Sequence, residues 1–298
     1  KTTLRDLYKK EDWMAVWMGF FLLIVGLLIY LPRPPEKAAE IPKYNAAMKE
    51  EAAKAPFKTI EWHNASSAKR GVRATNQDFA KTIQNFLSAP SDWNTNPIDA
   101  LYRSEETAKA MGAPFKEAAD KAKAAADASL ASAKTAQAAA AAAGYKDATL
   151  NATAEKEINA WQKAKDAASK ADSKVKVKSY NRVPYLIGLC VILAVFFGIG
   201  KAIMGVPFGQ FVVGFPAVFA LAILAYMAET QALMKYWGFG FPLWAIVFGL
   251  LISNTIGTPK WMMPAVCTEY YIKTGLVLLG AEILFNKILA IGKPGIFI

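Results

Sequence analysis

Apolar positions fall in long runs at the two ends of the chain and leave a polar middle. Residues 13–31 form a 19-residue apolar run. As a helix this run covers about 28 Å, close to a bilayer hydrocarbon core of about 30 Å. It is too long for the core of a signal peptide, and Pro32-Arg33-Pro34-Pro35 after it is no small-residue cleavage site. Trp13, Trp17 and Tyr30 suit the interfacial belts, while Lys1, Arg5, Lys9 and Lys10 ahead of the run place the N-terminus in the cytoplasm. Later runs predict spans at Val183–Met204, 208–226 (with Pro216 as a kink), 242–256 and 264–285. Residues 286–298 begin a sixth element. A first span at 1–31 and a transmembrane bundle at 183–298 therefore bracket an extramembrane insertion at 32–182.

Within the insertion the period changes from spans to solvated helices. Residues 32–42 hold four prolines and read as a stiff linker. Helices are expected at 43–54 and 76–87, the second capped by Thr75 or Asn76, with an extended piece at 57–62 between them. The clearest element follows Gly112-Ala113-Pro114: residues 117–143 contain 16 alanines with charges between them. Alanine has the best helix propensity, Pro114 suits a first helical position, and Gly144 suits a left-handed C-terminal cap. Residues 150–177 resume the pattern, starting near Asn151 or Thr153. Two arms of about 40 Å each predict a helical hairpin over about 115–177. Small alanine faces bury little area, so the hairpin is expected to lean on another subunit or on the rest of 32–102.

Composition sharpens this picture in three places. The chain is 54% hydrophobic with a formal charge of +11, of which +7 falls on 32–182. Acids interleave with those bases and no arginine–aromatic cluster exists, so nucleic acid is not an expected partner. Cys190 and Cys267 lie in apolar runs without metal or redox spacing and read as small packing residues. His63, the single histidine, has no ligand partner nearby in sequence and reads as a surface residue. With no nucleophile–histidine pair, phosphate loop or metal cluster, neither an enzyme nor a cofactor is expected.

The chemistry concentrates in 241–298. One apolar run ends at Ser253-Asn254-Thr255, a break follows at Gly257-Thr258-Pro259-Lys260, and the next run carries Glu269, Lys273 and Glu282. Charges inside a span are costly and face a protein interior, a partner or a water-filled cavity. Polar helix ends beside a Gly/Pro break are how many transporters build a site. Glu269, Lys273 and Gly280 share one helix face by their spacing. Plainer readings compete. Glu269 and Lys273 make an internal ion pair, Glu282 snorkels to the interface, and Asn254 and Thr255 bond backbone groups freed at the helix end.

These residues also carry a resemblance. Asn254-Thr255, then Lys273, Gly275 and Gly280, then Ile291-Gly292, stand in the order seen at the start of the transport domain of the family labelled sulfate exporters, conserved membrane proteins of the YeiH type. The similarity covers about one fifth of the chain, and Glu282 departs from it, standing where a basic residue is common. The resemblance implies transport by alternating access between inverted repeats, and a transport domain that continues through further spans. The sequence is thus expected to be part of a longer protein, trimmed at both ends.

The expected fold is all-α: a polytopic helical membrane protein of about five to six spans with an Ala-rich helical extramembrane domain. The expected function is secondary transport of a small inorganic or organic anion across an inner membrane, by a homo-oligomer in the lipid bilayer, with 32–182 periplasmic. Lys273 is the expected charge partner of the anion or of a substrate-gating carboxylate. Asn254 and Thr255 are its polar contacts, and Gly275, Gly280, Glu269 and Glu282 serve helix packing or gating. The alternative is a structural or sensory membrane protein whose hairpin binds a partner.

Overall fold

The computed structural model describes residues 4–73 and 76–282. Apart from a single turn at Asp6–Lys9 and short 3-10 turns, its helices in chain order are α1 (Glu11–Tyr30), α2 (Ile41–Lys54), α3 (Ile60–Gly71), α4 (Asp78–Phe86), α5 (Glu105–Gly112), α6 (Lys116–Ala142), α7 (Ala148–Val175), α8 (Val183–Met204), α9 (Phe208–Glu229), α10 (Ala232–Tyr236), α11 (Phe241–Thr255) and α12 (Thr268–Glu282). Two compact units result. One holds the described parts of Lys1–Arg33, Ile83–Leu101 and Arg182–Ile298; the other is Pro34–Thr82 with Tyr102–Asn181. Residues 83–101 thus group with the apolar helices rather than with the rest of the insertion. The reason is local: Phe86 packs edge-on against Tyr185 at 5.4 Å. Trp93 Nε1 donates to the Met227 carbonyl at 2.6 Å, and Arg182 donates to Ser91 Oγ.

The second unit is built on the α6–α7 hairpin. Every seventh residue of α6 is a buried alanine, at 119, 126, 133 and 140. Facing them on α7 are Ala154, Ile158 and Trp161. A small residue at each repeat lets the helix axes approach closely, while Ile158 and Trp161 supply the bulk. The turn needs two left-handed residues, Gly144 (φ 61°) and Tyr145 (φ 58°). Asn151 Nδ2 satisfies the Tyr145 carbonyl at 2.8 Å, and Asp147 caps α7 through Thr149 N and Leu150 N. The second arm therefore starts at Ala148, ahead of Asn151. A two-residue antiparallel pair, β1 (Tyr102–Arg103) with β2 (Tyr180–Asn181), ties the ends of this part together.

The hairpin's neighbour lies within its own unit. Ala55, Phe57 and Ile60 pack on Ala133, Ala140 and Ala154. Residues 57–62 are not one extended piece: Thr59 caps a helix through Trp62 N at 3.1 Å, and α3 starts at Ile60. Gln137 of α6 holds that start, accepting from Ile60 N at 2.8 Å and donating to Glu61 at 2.6 Å. His63 is also not a free surface residue. It is half-buried, its ring edge-on to Trp62 and Trp161. Burial, then the nearby Lys58, Lys165 and Arg70, holds its pKa below the usual 6.5. The imidazole is thus neutral in the folded state where the unfolded chain would take a proton. Its stabilising effect is complete above pH 6.5 and is lost as pH falls through the folded value. Thermal unfolding of this unit, followed by circular dichroism, is expected to weaken from about pH 8 to about pH 5, and His63→Gln to flatten that slope.

In the first unit the apolar helices run back and forth. Glu11 meets Lys201 while Phe21 meets Phe196, so α1 and α8 are antiparallel. Gly205, at φ 105°, turns the chain tightly from α8 into α9. Tyr226 stacks on Phe241 at 4.3 Å where α9 hands over to α11. Asp12 meets Lys273, and Gly19 meets Val277, so α12 runs parallel to α1. The core between them is Met14, Ala15, Met18, Ala194, Phe197, Phe211, Phe215, Ala265 and Tyr270.

Among the described residues three helices are long and apolar enough to cross a bilayer: α1, α8 and α9, with 20, 22 and 22 residues. α11 is a fourth, shorter apolar helix, and part of the five to six spans expected falls outside the described residues. Gly257, at φ 71°, ends α11 after 15 residues, about 22 Å. The described part of α12 also has 15 residues. The expected cap Thr75, the end of the fifth span at 283–285, and the element at 286–298 with Ile291 and Gly292 lie outside the described residues.

Candidate functional site

Several charged residues of the apolar unit gather at the end where α1 begins. Glu11 and Asp12 sit in the first turn of α1, Lys201 in the last turn of α8, and Glu269 in the first turn of α12. Each charge suits its helix end, since acids are favoured at N-termini and bases at C-termini. Two adjacent carboxylates then diverge. Glu11 pairs with Lys201 at 2.9 Å, and Asp12 pairs with Lys273 at 2.5 Å. Lys273 also meets Glu269, one turn back, at 2.5 Å. Lys9 adds a third tether, donating to the Ile203 carbonyl at 2.7 Å.

The two lysines differ in surroundings. Lys201 is buried, and its ammonium lies 5.0 Å from the centre of the Tyr270 ring. A desolvated cation over an aromatic face gains a cation–π attraction in addition to its ion pair. Tyr270 is fully buried, and its hydroxyl lies against Gly200, where no side chain could stand. Lys273 is more open, with both its carboxylate partners largely exposed.

Close backbone approach shapes the rest of the site. A Cβ at Gly19 would lie 2.6 Å from Val277, and one at Gly214 would lie 2.9 Å from the Trp261 carbonyl oxygen. Gly214 is six residues into α9, so the segment before α12, whose one helical piece is a 3-10 turn at Met263–Ala265, packs about 9 Å along that helix, not at its tip. Irregular backbone at such depth is tolerated where protein buries it or where it lines a cavity. Met262 and Ala265 of this segment are buried, and the Tyr271 hydroxyl donates to the Ala265 carbonyl at 2.8 Å. Gly214→Ala forces a methyl onto backbone atoms that have no rotamer to give. It is expected to cost about 1–3 kcal/mol, read as a lower melting temperature in detergent.

The residues expected to line the site are only partly brought together. Glu269 and Lys273 form the ion pair that competed with a binding role. Asn254 Nδ2 donates to the Leu250 carbonyl at 2.7 Å and Thr255 Oγ1 to that of Leu251 at 2.6 Å, so both side chains bond their own helix. Their helix, α11, packs on α9, whereas α12 packs on α1. A Cβ at Gly275 or Gly280 would meet nothing within 4 Å among the described residues; tight contacts fall at other glycines, Gly19, Gly198, Gly200 and Gly214 among them. Glu282 is the last described residue of α12, and its side chain lies outside the described residues. Cys190 and Cys267 are free thiols packed on the core.

Lys201, Glu11 and Asp12 were not among the expected site residues. The signal was present: a span leaving from residue 11 and another returning to residue 201 bring both to one end.

Residues 213–298 match the family model described as conserved hypothetical protein 698. Two proteins of Nitratidesulfovibrio vulgaris, each called a UPF0324 membrane protein, are 45% and 44% identical to the whole of this chain, which covers 52% of each. A UPF0324 membrane protein of Rhodopirellula baltica is 46% identical over 113 residues, 38% of this chain and 21% of that protein. No solved structure matches. The chain spans about half the length of the curated relatives that match all of it. With its apolar helices, these likenesses make the chain an all-α, polytopic membrane protein, similar over its whole length to a conserved family of membrane proteins.

Proposed function

We propose that the full-length protein is a secondary transporter that exports or exchanges a small anion. The observation that carries this reading is the pair of lysines, Lys201 and Lys273, gathered from two apolar helices beside a broken segment. An anion crossing a bilayer must trade its hydration shell for donors or positive charge, and intramembrane charges mark such paths. Broken helices near the site and inverted repeats, as the sulfate exporter resemblance implies, fit alternating access. Sulfate, sulfite, an organosulfonate or a carboxylate would use the same features. In this reading the membrane is an inner membrane and the protein a homo-oligomer. The basic residues ahead of α1 stay in the cytoplasm, which puts 32–182 in the periplasm.

The test is uptake by the full-length protein in proteoliposomes, offered sulfate, sulfite or a simple alkyl sulfonate in turn. Saturable uptake of one of them, stimulated by the same anion inside, is the expected result; no saturable uptake of any would refute transport. Sidedness is read separately. Ala128 is exposed on α6, so Ala128→Cys should react with an impermeant thiol reagent in spheroplasts. Labelling only after lysis would reverse the assignment. The alternative, a structural or sensory protein, draws on the hairpin, whose 27- and 28-residue helices exceed what a minimal transporter needs. It predicts no flux.

A further inference from the structure

The adjacent carboxylates of α1 hold two ion pairs of opposite character. On the Glu11–Lys201 pair the side chains are 35% and 9% exposed; on the Asp12–Lys273 pair they are 71% and 36% exposed. A pair whose acid stands mostly in solvent exchanges readily with dissolved ions. A buried lysine does not give up its partner, because the charge left behind would be unpaired and desolvated. Glu11–Lys201 is therefore a fixed anchor. A second anchor lies two turns along α1, where Gly19 fits against Val277 and the Thr274 carbonyl. Between these anchors the height and rotation of α1 are set, and Asp12 is presented to Lys273 whether or not its own bond is made.

Resting on the transport reading, we propose that Asp12 is a built-in competing anion: it caps Lys273 in the empty protein, and the transported anion gains Lys273 by displacing it. Glu269 remains on Lys273 from the same helix, so the ammonium stays in place when Asp12 leaves. Glu11 and Lys201 are positioning residues in this scheme. A carboxylate cap also selects its replacement. An incoming ion must match one full negative charge and supply several acceptor oxygens, which favours an oxyanion over chloride.

The experiment uses the full-length protein in proteoliposomes with sulfate as the probe, at constant ionic strength. Asp12→Asn should lower the half-saturating sulfate concentration about two- to fivefold and make uptake sensitive to chloride. Asp12→Glu should restore the wild-type values. A change in maximal rate with half-saturation unchanged would overturn the proposal while leaving transport standing. Wild-type protein without saturable sulfate uptake would overturn the proposal together with sulfate transport. Should Asp12→Asn not fold, carbodiimide coupling of Asp12 to Lys273 in the wild type decides. Sulfate should lower the yield of that cross-link more than chloride does, and equal yields would overturn the proposal.

Discussion

Lys201→Ala is expected to destabilise the full-length protein by about 3 kcal/mol. The ammonium it removes is buried, bonded to Glu11 at 2.9 Å, and set over the Tyr270 ring. Its loss strands a carboxylate at the start of α1 and opens a gap between α1, α8 and α12. Glu11 is still 35% exposed, so water relieves part of the penalty, which sets the value at the low end for a broken buried pair. The control is Lys201→Met with Glu11→Gln. Removing both charges while keeping the volume leaves nothing unpaired, so the double variant should recover most of the loss. Reversible unfolding in mixed detergent micelles, run as a double-mutant cycle, gives the coupling. A double variant as unstable as Lys201→Ala would mean that packing, not charge, makes the contact.

How far the sequence led can be judged from particular elements. The hairpin was legible because its signals are local: alanine propensity, a glycine at the turn, and charges on the open faces. Its packing mode was also present, in alanines spaced by seven. The start of α3 was missed because a threonine cap and an isoleucine read equally well as a strand edge; the choice was settled by Gln137, 77 residues away. Span positions followed from apolar runs, and α8 runs over Val183–Met204. The site was less legible. Glu11, Asp12 and Lys201 each look like ordinary charges flanking a span, and they become a cluster only once helix directions are counted. Conversely, Asn254 and Thr255 sit near Lys273 in sequence, yet α11 and α12 choose different partners. Which helix packs on which depends on distant contacts such as Gly19 on Val277, and no local period records them.

The residue on which the transport reading turns is Lys273. It lies in the second turn of α12, held by an acid from its own helix and one from α1. Because those partners are largely exposed, its loss should leave folding almost untouched, in contrast to Lys201. An anion, however, would lose the more open of the two lysines, 36% exposed against 9% for Lys201. The most direct measurement compares anion uptake by full-length wild type, Lys273→Ala and Lys273→Arg in proteoliposomes, each checked for wild-type melting. Saturable uptake abolished by alanine and partly kept by arginine is the predicted result. A folded Lys273→Ala protein that transports at the wild-type rate would contradict it and make Lys273 a structural tie between α1 and α12.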